Sequence, residues 1–274
     1  MDWTLDEEFE TPQGTVRWKR MGSGDPVVLL HGTPYSSFLW RDIAPVLARD
    51  RTVFVFDLLG FGRSDRREGQ DLGVAAHARH FAGLLDHWGL SRPSVVAHDI
   101  GGAVALRTML LEGRSYRDLT LCDVVSGGKW ERGLLRLVLE HPETFQQLPD
   151  YAHEALITSH MRRATHVGFR PEVLETFLAP WRGAQGQAAF YRQYGQLRQA
   201  DTAGYEDLLG DVSLPVRIIW GREDRILPPE DAEWLRERIP HAELHWIEGA
   251  GHLLQEDAPG RLLALLTAEF PSRE

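Results

Sequence analysis

A single cysteine, Cys122, stands among 274 residues. One thiol closes no intrachain disulfide, so the fold is held by its core, and Cys122 reads as an inert core thiol in a reducing compartment. Positive charge is also short. Thirty Lys and Arg against 40 Asp and Glu leave a formal net charge of −10, and no basic stripe runs along the chain. That balance argues against nucleic acid and against an anionic membrane surface as partners. No apolar run approaches the length of a membrane span. The opening stretch, Met1 to Glu8, is acidic and has neither a basic nor an apolar signal region, so the cytoplasm is the expected location. Cysteine clusters with metal-ligand spacing and a GxGxxG fingerprint are both absent, so neither a metal nor a cofactor is expected.

What is present is ordinary for a soluble globular chain: 43% hydrophobic and 26% charged residues. The length suits one large α/β core, with or without an insertion. Two short strands are expected over 9–21 around Thr11-Pro12-Gln13-Gly14. Val27 to Leu30 is a continuous apolar run, the mark of a parallel strand covered on both faces. A helix over 37–49, a strand over 52–56 and a helix over 74–88 follow, the last with Phe81, Leu84, Leu85 and Trp88 at helical spacing. Leu119 to Asp123 reads as another strand. From 124 to 212 only helical patterns appear, over 131–140, 150–163, 171–178 and 186–199, broken at Gly127-Gly128, Pro142, Pro149, Pro171 and Pro180. Strands resume at Pro215 to Trp220 and at Glu243 to Ile247, with helices over 230–238 and 257–270. Alternating strands and helices predict a mostly parallel, doubly wound sheet with sites at the carboxyl ends of its strands. The predicted division is a core of 1–123 and 213–274 and an inserted helical cap of 124–212.

The chain is organised around Ser94 to Gly102, where Val95-Val96 runs through a tight turn into a helical pattern from Ala103. The turn reads small-x-nucleophile-x-Gly: Ala97, His98, Asp99, Ile100, Gly101. Small residues flank the centre because two backbones crowd it, and the geometry pushes the central side chain out above the sheet. With these residues the sequence resembles the α/β-hydrolase superfamily. Within it, the resemblance is to the branch with an aspartate nucleophile: epoxide hydrolases, haloalkane dehalogenases and fluoroacetate dehalogenases. His31-Gly32-Thr33-Pro34 matches the His-Gly-x-Pro motif, Asp57 to Asp65 the glycine-punctuated loop, and Gly249-Ala250-Gly251-His252 the histidine motif.

The resemblance implies Asp99 as nucleophile, Asp224 as acid and His252 as base, in the chain order of this fold. Asp123, after the sixth strand, is the alternative acid, since some dehalogenases of the branch place it there. The backbone N–H groups of Thr33 and Ile100 would form the oxyanion hole. A carboxylate of reference pKa about 3.9 is already ionised at neutral pH, so Asp99 needs no base before it attacks an sp³ carbon. The alkyl ester so formed is then hydrolysed by water that His252 activates.

The leaving group is open between an epoxide oxygen and a halide, with the epoxide favoured. Haloalkane dehalogenases usually carry Trp directly after the nucleophile and often Asn in the His-Gly-x-Pro motif, where this chain has Ile100 and Thr33. The arginines with which fluoroacetate dehalogenases grip a carboxylate are replaced by Gly101-Gly102-Ala103-Val104. Epoxide opening needs a proton donor, for which Tyr191 of Ala189-Phe190-Tyr191-Arg192 is the candidate, with Tyr151 as a second. His31, Pro34, His98, Trp130 and Trp181 are expected around the pocket. The expected partners are a small apolar organic substrate and water, with the chain a monomer or homodimer. A carboxylesterase fits less well, because Asp99 on an acyl carbon gives an anhydride, and a non-catalytic receptor would not need all three positions filled.

Overall fold

The computed structural model describes residues 3–127 and 129–270. Eight strands form one sheet: β1 (Glu7–Thr11), β2 (Gly14–Gly22), β3 (Asp25–Leu30), β4 (Arg51–Phe56), β5 (Ser94–Asp99), β6 (Asp118–Val124), β7 (Val216–Gly221) and β8 (Glu243–Ile247). Their order is β1-β2-β4-β3-β5-β6-β7-β8. The β1–β2 and β2–β4 pairs are antiparallel and every other pair is parallel. This is the α/β-hydrolase fold.

The inner strands are apolar on both faces because helices cover both. Val27 to Leu30, all of β5 and all of β7 are buried. Each such Val, Leu or Ile contributes about 1.5–3 kcal/mol by leaving water, which makes the sheet centre a rigid platform. Helices α1 (Ala44–Leu47), α2 (Val74–His87) and α3 (Ile100–Leu110) belong to the first half of the core. In α2 the buried positions Val74, His77, Ala78, Phe81, Leu84 and Leu85 recur at helical spacing and form one apolar stripe.

Two expected helices are shorter. Over 37–49 the chain forms a 3₁₀ turn, Ser37–Trp40, and then the single turn α1. Pro45 is the reason: its ring has no N–H to donate back and clashes with the carbonyl four residues earlier. The carboxyl-terminal helix is likewise broken at Ala258, the residue before Pro259, which is driven out of the helical region (φ −146°, ψ 50°).

Between β6 and β7 the described chain is helical: α4 (Gly133–Glu140), α5 (Pro142–Gln146), α6 (Asp150–Arg162), α7 (Pro171–Leu178), α8 (Gly183–Tyr194) and α9 (Ala200–Glu206). Then come α10 (Pro229–Arg238), α11 (Leu254–Asp257) and α12 (Pro259–Thr267). The helical insertion is pinned to the core by buried hydrogen bonds. Trp181 Nε1 donates to the carbonyl of Pro34 (2.9 Å), and the Leu253 N–H donates to the carbonyl of Ala164 (2.9 Å). Among the described residues no helix is long and apolar enough to cross a membrane.

Candidate active site

Asp99, the last residue of β5, takes a positive φ of 53°. A non-glycine residue rarely adopts that conformation, and only tight surroundings hold it there. Those surroundings demand glycine. A Cβ on Gly32 would sit 2.2 Å from the Asp99 Cβ, and one on Gly101 would sit 2.6 Å from the His31 carbonyl oxygen. The strand therefore turns at once into α3 and presents Asp99 at its amino end, above the sheet.

The Asp99 carboxylate has two different oxygens. Oδ1 accepts the Thr33 N–H at 2.7 Å, and the Ile100 N–H also hydrogen-bonds this carboxylate. Oδ2 lies 3.4 Å from His252 Nε2. Burial pushes the Asp99 pKa up, but the hydrogen bond and charge of His252 outweigh it and hold the group below the usual carboxylate range. His252 Nδ1 lies 2.9 Å from Asp224 Oδ2. The other Asp224 oxygen accepts the N–H groups of Ile226 (2.6 Å) and Leu227 (3.0 Å). Burial alone would lower the His252 pKa; the Asp224 charge, then the hydrogen bonds to both carboxylates, raise it well above normal.

Asp123 is buried behind this pair. Its Oδ1 accepts the Gly221 N–H (2.8 Å), and it makes no direct bond to His252 Nδ1. Burial, then the charge of Asp224 and a hydrogen bond with that residue, push its pKa well up, which favours its protonated form. Asp123, Asp224 and His252 are the single set among the described residues whose ligand atoms cluster closely enough to hold a metal. Here His252 Nδ1 bonds Asp224 Oδ2, and Asp123 Oδ1 is taken up by the Gly221 N–H.

A cavity of about 470 Å³ opens over Asp99 and His252. Pro34, Ile100, Val125, Trp130, Leu134, Leu156, Leu197 and Leu227 make its apolar walls, and Thr33, Tyr35, His160 and Tyr194 supply polar atoms. His160 comes from α6 and Tyr194 from the end of α8; the His160 Nε2 lies 2.7 Å from the Tyr194 hydroxyl. Burial, then the charge of Arg163, lowers the His160 pKa to about 4, so the ring is neutral at pH 7.

Several expected pocket residues lie elsewhere. Tyr151 is 79% exposed on the outer face of α6 and cannot reach Asp99. Tyr191 points away from the cavity: its hydroxyl meets His153 Nδ1 at 3.0 Å, and His153 Nε2 in turn donates to the Trp181 carbonyl. Three residues further along the same face of α8, Tyr194 reaches the site in its place. Trp181 is buried with its N–H spent on Pro34, outside the cavity lining. Trp130 does line it, but its N–H donates to Thr202 Oγ1 (2.9 Å). His31 braces the motif loop: its Nε2 accepts the Leu58 N–H (2.9 Å), and its Nδ1 bonds the Gly32 carbonyl (3.0 Å). His98 lies under the site and donates from Nε2 to the His252 carbonyl (2.9 Å). Burial, then the neighbouring His252, lowers its pKa to about 3. Pro34 is in the lining as expected. Tyr35, His160 and Tyr194 carry no motif; Tyr194 shares a helical apolar spacing with Phe190 and Leu197, which in sequence reads as packing.

The sequence profile described as alpha/beta hydrolase fold matches residues 25–259. The chain belongs to the α/β-hydrolase family and is a hydrolase of that family. It is 28% identical to haloalkane dehalogenase 2 of Mycobacterium tuberculosis, over 96% of this chain and 93% of that protein. It is also 28% identical to 2-hydroxy-6-oxo-2,4-heptadienoate hydrolase of Pseudomonas putida, over 86% of this chain and 85% of that one. Among solved structures, an alpha/beta hydrolase fold protein of Burkholderia ambifaria superposes with a TM-score of 0.93 at 42% identity, covering 97% of this chain and 98% of that chain. The haloalkane dehalogenase DbeA of Bradyrhizobium elkani shares the fold, with a TM-score of 0.79 at 19% identity over 95% of each chain.

Proposed function

We propose that the protein displaces a leaving group from an sp³ carbon through an alkyl ester on Asp99, which water then hydrolyses. The observation that carries this reading is the division of the Asp99 carboxylate, with Oδ1 held by the Thr33 N–H and Oδ2 directed toward His252 in the cavity. In the first step Oδ2 forms a bond to carbon, and the carbon–leaving-group bond breaks with its electron pair on the leaving atom. Esterification removes the negative charge of Asp99. His252, until then held between two carboxylates, keeps only Asp224, so its pKa falls and its extra proton passes to solvent water with a halide, or replaces the one that a departing alkoxide has taken. The neutral ring then takes a proton from water as that water attacks the ester carbonyl. Negative charge develops on Oδ1, which the Thr33 N–H already meets, with the Ile100 N–H as the second donor to this carboxyl group.

A halide is favoured as leaving group, since the Mycobacterium tuberculosis relative, similar over nearly its whole length, is named a haloalkane dehalogenase. A second reading, epoxide opening, rests on one pair of side chains. With a proton on Nε2, neutral His160 donates to the Tyr194 oxygen and leaves the Tyr194 O–H to protonate a departing alkoxide. The expected proton donor thus moves from Tyr191 to Tyr194.

Intact-mass measurement on His252→Gln tests both. Without the base, the ester should accumulate on Asp99. A 1-bromoalkane adds its mass less hydrogen bromide; an epoxide adds its whole mass. No adduct from either, or an adduct that persists in Asp99→Asn, refutes the mechanism.

A further inference from the structure

The cavity is apolar along its walls but not at its entrance. Three arginines line it, Arg132, Arg163 and Arg225, against a single carboxylate, that of Asp99. Arg132 is paired with Asp231 (3.3 Å). Arg163 and Arg225 have no carboxylate within ion-pair distance among the described residues, and the Arg163 guanidinium donates instead to the Arg225 carbonyl (3.1 Å). The Arg163 side chain is thus tied to the Arg225 backbone, and both residues line one space in a chain whose net charge is −10. Two guanidinium groups with no carboxylate partner, lining one cavity, leave positive charge there for an incoming anion to meet.

Their position marks the mouth. Arg163, at the carboxyl end of α6, and Arg225, in the loop after β7, also border an outer depression along α6 with Thr158, Ser159 and Arg162. Both side chains are exposed, and Arg162 adds a further positive charge just outside. The field of Arg163 reaches inward far enough to help hold His160 neutral.

We propose that the substrate is an amphiphile: an apolar chain that delivers its reacting carbon to Asp99 and ends in a carboxylate held at the cavity mouth by Arg163 and Arg225. This rests on the reading of the cavity as the substrate site and adds the chemical class of its occupant. The grip comes from the insertion, through Arg163, and from the loop after β7, through Arg225. Guanidinium groups suit the task because their planar fork matches a carboxylate.

The test separates binding from chemistry. Titration calorimetry at low salt compares octanoate with 1-octanol, neither of which carries a leaving group. The wild type should bind octanoate at least tenfold more tightly, and Arg163→Gln/Arg225→Gln should abolish the difference, with Arg225→Glu reversing it. Equal binding by the wild type, no binding of either, or a preference that survives the double substitution overturns the proposal. In parallel, ester formation in His252→Gln is timed with 8-bromooctanoate and 1-bromooctane. Tight octanoate binding without an adduct from either bromide would overturn the Asp99 ester and leave the anion site standing. Adducts from both at equal rates, unchanged in the double variant, would overturn the anion site and leave the ester standing.

Discussion

Asp224→Asn should stop the second half of the reaction, and the geometry says why. Asn is the same size, but its amide has one acceptor end and one donor end. Asp224 Oδ1 accepts two backbone N–H groups, from Ile226 at 2.6 Å and Leu227 at 3.0 Å. An amide nitrogen placed there would face two donors, so Asn keeps its oxygen on that side. Its NH₂ then faces His252 Nδ1, which in the native chain lies 2.9 Å from Asp224 Oδ2. A donor at that point forces Nδ1 to accept, which leaves the ring proton on Nε2, the nitrogen that must take the proton of water. Wrong-tautomer losses in such triads run to about 10⁴ in kcat. Asp123→Asn should behave in the opposite way. Its oxygen can still accept the Gly221 N–H, and its NH₂ can donate to Asp224 as the protonated acid does. Turnover should stay within about threefold of wild type, since the bonding pattern is unchanged. Stopped-flow turnover with intact-mass detection distinguishes the two, because Asp224→Asn should form the ester and fail to release it. A large loss in Asp123→Asn with little loss in Asp224→Asn would refute the assignment of the acid.

Five further outcomes follow from other contacts in the structure. Tyr194→Phe should slow epoxide opening by about 10²-fold or more, the scale of a lost general acid, with little effect on a bromoalkane; Tyr191→Phe should cost about 1 kcal/mol of stability through its bond to His153 and leave ester formation unchanged. His98 has its pKa lowered to about 3, so below the unfolded value near 6.5 protons bind only the unfolded chain and the wild type loses stability as pH falls. Against His98→Gln the wild type should therefore lose about 1.4 kcal/mol per pH unit between pH 6 and 4 in urea unfolding, and a constant difference would contradict it. Gly32→Ala puts a Cβ 2.2 Å from that of Asp99 and should abolish ester formation even in protein that remains folded by circular dichroism. Arg41 and Glu256 form a buried two-pronged ion pair (2.6 and 2.7 Å), so Arg41→Met should cost about 3–5 kcal/mol in chemical denaturation by stranding the Glu256 charge.

The strand ends were legible because backbone geometry dictates residue type there. The close approaches at Gly32, Gly101 and Gly221 admit no side chain, so glycines announce the turns in sequence. Asp99 ends β5, and Asp224 and His252 stand a few residues beyond β7 and β8, strands whose apolar runs are equally plain. The choice between Asp123 and Asp224 was not legible, since both end strands of one parallel sheet. The register between β6 and β7 and the two N–H groups after Asp224 turn that residue, and not Asp123, toward His252. The insertion was legible as helices and illegible as a surface. Helical spacing gives each residue a direction relative to its own axis only. Tyr191 and Tyr194 both read as stripe residues on α8, and packing of α8 on α6 is what turns one toward His153 and the other toward His160.

This division between strand ends and insertion also explains how the chain can be 28% identical to two relatives whose names describe different substrates. Asp99, Asp224, His252 and the Thr33 and Ile100 N–H groups are positioned by the ends of the sheet strands, whereas much of the cavity above them comes from the insertion. Selection on the insertion acts on different terms: α6 and α8 must stay amphipathic, but any side chain that fits may face the cavity. In this chain the result is an apolar wall, a neutral His160 beside Tyr194 near the nucleophile, and two unpaired arginines at the mouth. An uncharged donor pair near Asp99 and a fixed charge far from it divide two tasks. The arginines can draw and orient an anion without adding positive charge beside the Asp99 carboxylate. A further cation next to Asp99, besides His252, would stabilise the carboxylate before attack more than after it, since the ester is neutral, and would raise the barrier that the site must lower.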